Sequence, residues 1–208
     1  MRNLYIFLLI VFMSIITTYL LNKYLYTEEY YSYTLQENFT DEQIQDFITN
    51  KKNAQWLILI KTPLMIILKT IIVTMLIIGG LNLYEHELDF SNVLKISLLA
   101  EFIFILLPLI RLLWFIFFEI NSFEEIIRFP TFSVIDLVNQ DQLSGWMTYP
   151  LKVANLFELI YILLLSELLS INLRVTFKKS LKIILSSYGI GLILWVVIVS
   201  FILVNLGM

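Results

Sequence analysis

The sequence predicts an all-α fold: a multi-pass transmembrane helical bundle of five spans, with the N-terminus inside and the C-terminus outside. Composition is the first observation. Of the 208 residues, 59% are hydrophobic and 15% are charged, whereas a soluble domain is about half apolar and about a quarter charged. The second observation is five stretches close to the roughly 20 apolar residues that a span needs. The third is the placement of Lys and Arg between them, which sets the orientation.

The predicted spans are residues 4–21, 56–78, 93–118, 151–173 and 183–206. Arg2 precedes the first span, but no cleavage pattern follows it, so we interpret this span as an uncleaved anchor. The helix-breaking pair Gly79-Gly80 is expected to close the second span. Pro150 stands just before the fourth span, near a helix start, where proline is tolerated.

Three regions follow from these spans: an N-terminal anchor at 1–22, a polar extracytoplasmic segment at 23–55, and a four-span membrane domain at 56–208. The orientation depends on Arg2 and on the basic linker between spans four and five, both of which an N-inside chain places on the cytoplasmic side. Lys51 and Lys52 oppose this orientation, because it exports them. We expect the membrane to be a bacterial-type inner (plasma) membrane. The basic linker residues are Arg174, Lys178, Lys179 and Lys182.

The polar segment carries a helix start signal. Thr40 can cap a helix, Gln43 lies three positions later, and Phe39 can pack onto Ile44. One face of the predicted helix is apolar, and it carries Ile44, Phe47 and Ile48. This amphipathic segment, residues 39–55, could dock a membrane-protein partner, or it could be a solvated connector between two spans.

A loop at 119–150 is too interrupted by polar residues to span and too apolar to float free in water. We expect it to lie at the membrane interface, with Trp146 and Tyr149 at the level of the lipid headgroups. It could also re-enter the membrane if protein covers its backbone.

Ionisable side chains inside spans are costly and usually face the bundle interior or extend to an interface. Those in the predicted spans are Lys61, Lys69, Glu101, Arg111, Glu158 and Glu167. Depth decides which of them can pair. Arg111 and Glu158 both lie roughly 10 Å below the outer ends of their spans, so we predict an ion pair, which Asn155 could join.

Glu101 lies deeper, and Lys69 on the antiparallel neighbour is its predicted partner. Glu167 is near the cytoplasmic end and is expected to extend toward Lys95 or Arg174. These residues could form a polar pathway or ligand site along spans two to four. They could instead be structural pairs that fix which helices touch.

No catalytic or cofactor motif is evident. The chain has no cysteine, which excludes thiol catalysis and Cys-ligated metals. Glu124, Glu125 and Arg128 are similar to the EExxxR motif of CAAX-type intramembrane proteases, but the spacing is one residue short and the single histidine, His86, lies upstream. No basic run indicates nucleic acid. We therefore expect a non-enzymatic protein without cofactor or metal.

Residues 90–118 and 149–204 resemble bacterial members of the Yip-domain superfamily. The shared pattern is a polar start leading into a proline-containing span, then an NLFELIYILLL-like span, a basic linker (RVTFKKSLK) and a last apolar span. The resemblance implies a five-span membrane scaffold or trafficking-type adaptor and supplies no functional residue. We expect a non-catalytic accessory subunit or adaptor of a membrane complex, in contact with the lipid bilayer. The alternative is a small transporter or channel component that uses the intramembrane charges.

Overall fold

The computed structural model describes residues 2–118, 122–139 and 143–205. Within this part of the chain, five helical segments are long and apolar enough to cross a membrane: Arg2–Tyr24, Leu57–Leu83, Phe90–Phe117, Leu156–Leu173 and Phe177–Asn205. The predicted all-α class and the five candidate spans are therefore confirmed. The direction in which the chain crosses the membrane stays a prediction.

The described residues form these helices: α1 Arg2–Tyr24, α2 Glu28–Leu35, α3 Asp41–Asn53, α4 Ile58–Leu83, α5 Phe90–Glu101, α6 Ile103–Phe117, α7 Phe123–Ile127, α8 Gly145–Val153, α9 Leu156–Leu173, α10 Phe177–Ile184 and α11 Ile190–Asn205. Two 3₁₀ turns, Gln55–Leu57 and Val134–Leu137, lie between them. A π-helical turn, Leu185–Gly189, joins α10 to α11, so the last span is one continuous helical path.

These residues divide into two compact units. The first unit contains the described residues up to Ile6, those from Lys69 to Ile103, and those from Pro130 onward. Within it, α9 packs against α5 and α10, and α8 packs against α11. Polar contacts also join its helices. For example, Thr74 Oγ1 donates to Ser97 Oγ at 3.2 Å, and Ser180 Oγ donates to the carbonyl of Ser166 at 2.8 Å. Small hydroxyl residues of this kind allow close approach between membrane helices.

The second unit contains residues 7–68 and 104–129. Its core joins the end of α1 to α6 and α7 through Leu21, Leu25, Leu112, Phe115 and Ile126. The polar segment folds onto this core as two helices, α2 and α3, which pack against each other. The predicted capping box is confirmed, because Thr40 and Gln43 bond reciprocally at the start of α3. Ile44 and Ile48 are buried, and the Phe47 ring lies 5.6 Å from that of Tyr31.

The predicted end of the second span is wrong. Helix α4 continues through Gly79-Gly80 to Leu83. The reason is packing: a Cβ atom at Gly80 would lie 2.6 Å from the Cβ of Ser187. Glycine here allows the last span to approach α4 closely, and that contact supports a helix that glycine propensity alone disfavours. Gly191 contributes a second close approach, since a Cβ there would lie 2.7 Å from Leu76 Cδ1.

The predicted third span is confirmed as the segment Phe90–Phe117. Helices α5 and α6 meet at Phe102, whose backbone is itself right-handed helical. Pro108 follows six residues later, inside α6. A proline lacks the N–H of a helical residue, and its ring crowds the preceding turn. Helix α6 nevertheless continues through Pro108 to Phe117.

The fourth span starts later than predicted. Residues 151–153 belong to α8, and Pro150 lies inside that helix rather than at the start of a span. Helix α9 begins after Asn155, whose side chain accepts a hydrogen bond from the Glu158 N–H at 2.8 Å. The segment before α9 is extended and pairs with residues 132–134, since the Leu156 N–H donates to the Phe132 carbonyl. This pairing prevents one helix from running through Asn155.

The fifth span starts earlier than predicted, because α10 already begins at Phe177. Lys178, Lys179 and Lys182 are therefore helical, and the Lys182 ammonium lies 5.6 Å from the centre of the Tyr84 ring. The predicted end of this span, Leu206, lies outside the described residues.

A candidate intramembrane polar site

The centre of the site is an ion pair between two neighbouring spans. Lys69 on α4 donates to Glu101 on α5, with Nζ and Oε1 3.0 Å apart. The Glu101 side chain is 8% exposed and that of Lys69 is 35% exposed. The partner predicted for Glu101 is thus the one in the structure. A buried carboxylate needs such a partner, because an unpaired charge in an apolar interior is costly.

Two tyrosines extend this pair across the first unit. The Lys69 ammonium lies 4.8 Å from the centre of the Tyr161 ring on α9. The Tyr161 ring meets the Tyr188 ring edge-on, at 5.4 Å between centroids. The Tyr188 hydroxyl donates in turn to Oε1 of Glu158. Lys69, Glu101, Glu158, Tyr161 and Tyr188, drawn from four spans, form what we call the polar cluster.

Local structure explains how Tyr188 reaches Glu158. Tyr188 lies in the π-helical turn Leu185–Gly189. A π-helical turn inserts one residue relative to an α-helix and is frequent at functional sites. Glu158 lies in the first turn of α9, three residues after the Asn155 cap. The extra residue in one span and the start of the other therefore bring the phenol and the carboxylate together.

The two members of the predicted ion pair, Arg111 and Glu158, each bond to a residue of their own unit. Glu158 bonds to Tyr188 in the first unit, while Arg111 on α6 donates through Nη2 to the carbonyl of Ile126 in the second unit. Glu158 was predicted to lie well inside a span that begins at residue 151, whereas α9 begins at Leu156. Asn155, the predicted third member, caps α9 and also donates to the Lys152 and Val153 carbonyls.

Arg111 is a tether of the second unit. Its guanidinium carbon lies 5.4 Å from the Tyr26 ring and 5.5 Å from the Phe129 ring. The acceptor at Ile126 belongs to α7, at the end where a helix exposes carbonyls that cations satisfy. An arginine between two rings gains cation–π attraction as well as a hydrogen bond. Arg111 therefore holds α7 against α6.

The other two ionisable residues are exposed. Glu167 is exposed on α9 and forms no ion pair within the described residues, so neither Lys95 nor Arg174 is its partner there. Lys61 on α4 is also exposed.

Tyr161 and Tyr188 were missed by reasoning from charge alone. Tyr161 could have been found, because it follows Glu158 by three residues and so shares its helix face. Tyr188 carried no comparable signal, since the π-helical turn changes which residues face the bundle. The buried hydroxyl residues Thr70, Thr74 and Ser97 were missed for another reason. They are single polar residues within apolar stretches of the sequence.

Outside the spans, the α2–α3 hairpin (residues 27–54) has its own electrostatics. Lys51 donates to the Tyr31 hydroxyl and lies over that ring, and partial burial lowers the pKa of its ammonium. Burial raises the pKa of the Tyr26 phenol, an effect that the nearby Arg111 charge opposes. Lys52 forms an ion pair with Glu28. Both lysines of the hairpin are therefore engaged with other hairpin residues.

The chemistry available to the polar cluster is limited by its residue types. One ammonium, two carboxylates and two phenols can hold charge and donate or accept protons. Within the described residues, no group of three or more His, Asp or Glu could hold a metal ion.

No family model, curated protein or solved structure matches this chain.

Proposed function

We propose that this protein is a non-catalytic accessory subunit or adaptor of a membrane complex, in a bacterial-type inner membrane. The observation that carries the proposal is the α2–α3 hairpin, an acidic surface next to the membrane-spanning helices. Its six acidic residues are all exposed: Glu28, Glu29, Glu37, Asp41, Glu42 and Asp46. Only Glu28 forms an ion pair among the described residues.

The two lysines of the hairpin neutralise one of these acidic residues. Lys52 forms an ion pair with Glu28, whereas Lys51 donates a hydrogen bond to the Tyr31 hydroxyl. The hairpin is also held in place, because Tyr30 and Tyr33 of α2 pack on Phe123 of α7 at 6.1 and 5.5 Å between ring centroids. An ordered surface with an excess of one charge sign favours a partner of opposite sign. The proposed partner therefore presents a basic surface outside the bilayer.

The test is a mild-detergent purification from native membranes with quantitative mass spectrometry. We expect a stoichiometric partner that is lost in the triple variant Asp41→Lys/Glu42→Lys/Asp46→Lys and at high salt, which screens exposed charges. The matched control is Glu87→Lys, an exposed acid in the linker between α4 and α5. Absence of any stoichiometric partner, or a partner that the triple variant retains, would contradict the proposal.

The polar cluster favours a second candidate, a small transporter or channel component. Intramembrane ionisable residues often mark ion or proton pathways, and here one ammonium and two carboxylates come from three spans, with the Tyr188 phenol from a fourth. Flux of protons or monovalent cations into proteoliposomes, abolished by Glu101→Gln, would support this candidate. Equal leak through wild type and variant would exclude it.

Membership of the Yip-domain superfamily also stays a prediction. It is compatible with both candidates, since the resemblance supplies no functional residue.

A further inference from the structure

A cavity of about 870 Å³ lies in the first unit, next to the polar cluster. Helices α8, α9 and α11 form its walls together with the segment that contains the 3₁₀ turn Val134–Leu137. Representative wall residues are Val153, Leu159, Ile162, Ile193 and Val197. Small-molecule sites are mostly apolar and typically measure about 300–1,000 Å³. The size and the lining of this cavity suit a hydrocarbon chain.

Among the residues that the structure describes, the two ionisable ones that line the cavity are both acidic: Asp136 and Glu158. Asp136 is already bonded, because its carboxylate accepts from the Thr131 hydroxyl and from the Ser133 N–H. Glu158 is different. Its side chain accepts a hydrogen bond from the neutral Tyr188 hydroxyl.

The polar cluster holds two carboxylates, Glu101 and Glu158, but a single ammonium, that of Lys69, whose charge acts on both. Lys69 is bonded to Glu101, while Glu158 has a neutral phenol as its donor. A carboxylate has about four acceptor positions, and the cluster keeps one negative charge in excess, which is costly inside a span. A cation at the cavity wall would complete the site, and a primary ammonium supplies three donors.

We propose that this cavity binds a single-chain amphiphile with a primary ammonium head group, with its chain along α8, α9 and α11 and its head group on Glu158. Tyr188 is a positioning residue, since its hydroxyl fixes the carboxylate from the π-helical turn. The acidic lining disfavours fatty acids and phosphate-bearing lipids. A long-chain alkylamine therefore fits better than a phospholipid.

The proposal is tested with a photoreactive hexadecylamine probe on the purified full chain in nanodiscs. We expect cross-links in α9 and α11, competed by hexadecylamine but not by hexadecanol or hexadecanoate. Glu158→Gln keeps the size of the side chain but loses its charge, and should weaken binding about tenfold or more, the factor that corresponds to one charge-assisted hydrogen bond. Tyr188→Phe should weaken it by a smaller factor.

Leu159→Trp keeps the experiment decisive if Glu158→Gln fails to fold. Leu159 lines the cavity and is 55% exposed. An indole ring at this position would fill the space that the hydrocarbon chain would occupy, so Leu159→Trp should reduce labelling by the probe. Glu167→Gln, on the exposed side of the same helix, is the matched control and should bind as the wild type does. Equal labelling of all variants, or equal competition by hexadecanoate, would overturn the proposal. The result is independent of whether a basic partner binds the hairpin.

Discussion

Lys69 and Glu101 show how two ionisable residues are accommodated inside an apolar bundle. Each is costly alone, and the pair offsets the cost only while both members are present. The sequence was sufficient to predict this pair, because both residues lie near the middle of antiparallel neighbours. It was insufficient for Arg111, whose acceptor is a backbone carbonyl. A carbonyl acceptor leaves no residue type to recognise.

The ion pair predicts strong coupling in a double-mutant cycle. Lys69→Leu leaves Glu101 buried and without its ammonium partner, and should therefore lower the free energy of unfolding. Breaking a fully buried pair costs about 3–5 kcal/mol. The loss here should be smaller, because the Lys69 side chain is 35% exposed. The double change Lys69→Leu/Glu101→Leu should cost less than the two single losses combined. Unfolding in mixed detergent micelles measures all three. Additive losses would mean that the pair is not coupled.

A second cycle, on Arg111→Leu and Glu158→Leu, is the control. Each of these residues has its own partner within its own unit. Their losses should therefore add within about 0.5 kcal/mol. Strong coupling in this cycle would instead support the ion pair between Arg111 and Glu158 that was predicted from the sequence.

Lys51 gives a prediction on pH. Burial lowers the pKa of its ammonium in the folded protein below the ordinary value of 10.5, so the unfolded chain binds more protons between the two pKa values. The free energy of unfolding therefore rises with pH through that window, as the folded protein loses its unfavourable charge. Lys51→Met should flatten this rise, whereas Lys52→Met, at an exposed ion pair, should retain it. Denaturation at a series of alkaline pH values checks this.

At the level of elements, composition and capping signals were enough to predict that five spans and α3 exist. Their ends depended on contacts that composition does not contain. Gly79-Gly80 reads as a break in isolation, yet Gly80 is where Ser187 packs on α4. The start of α9 depends on pairing with residues 132–134. Helix α2 was missed because it is short, although Thr27 caps it.

The two glycines of α4 form a matched pair of test positions. Gly80→Ala places a methyl group 2.6 Å from the Ser187 Cβ and should cost about 1–3 kcal/mol, as overpacking does. Gly79→Ala meets no atom within 4 Å and should be neutral or slightly stabilising, because alanine is the better helix former. Thermal unfolding of the two variants distinguishes them. Equal melting temperatures would contradict the close packing of α4 on the last span.

The capping box of α3 predicts a local effect. Thr40→Ala removes the side-chain acceptor of the Gln43 N–H and should destabilise the helix by about 1 kcal/mol. Thr49→Ala, at an exposed position in the same helix, should have little effect. Hydrogen exchange of the α3 amides measures both. Unchanged protection in Thr40→Ala would show that packing of Ile44 and Ile48 alone holds the helix.

For the whole molecule, the proposed adaptor role requires that the acidic hairpin lie on the outer side of the membrane, opposite the linker between α4 and α5. The chain has no cysteine, so single cysteines report their side without background. Asn38→Cys lies at the turn between α2 and α3, and Glu87→Cys lies in the linker after α4; both positions are exposed.

Labelling of these two variants in intact cells with a membrane-impermeant maleimide is the most direct measurement. The five-span, N-inside arrangement predicts that Asn38→Cys reacts at once and that Glu87→Cys reacts only after the membrane is permeabilised. Reaction of both variants in intact cells, or of Glu87→Cys alone, would contradict it.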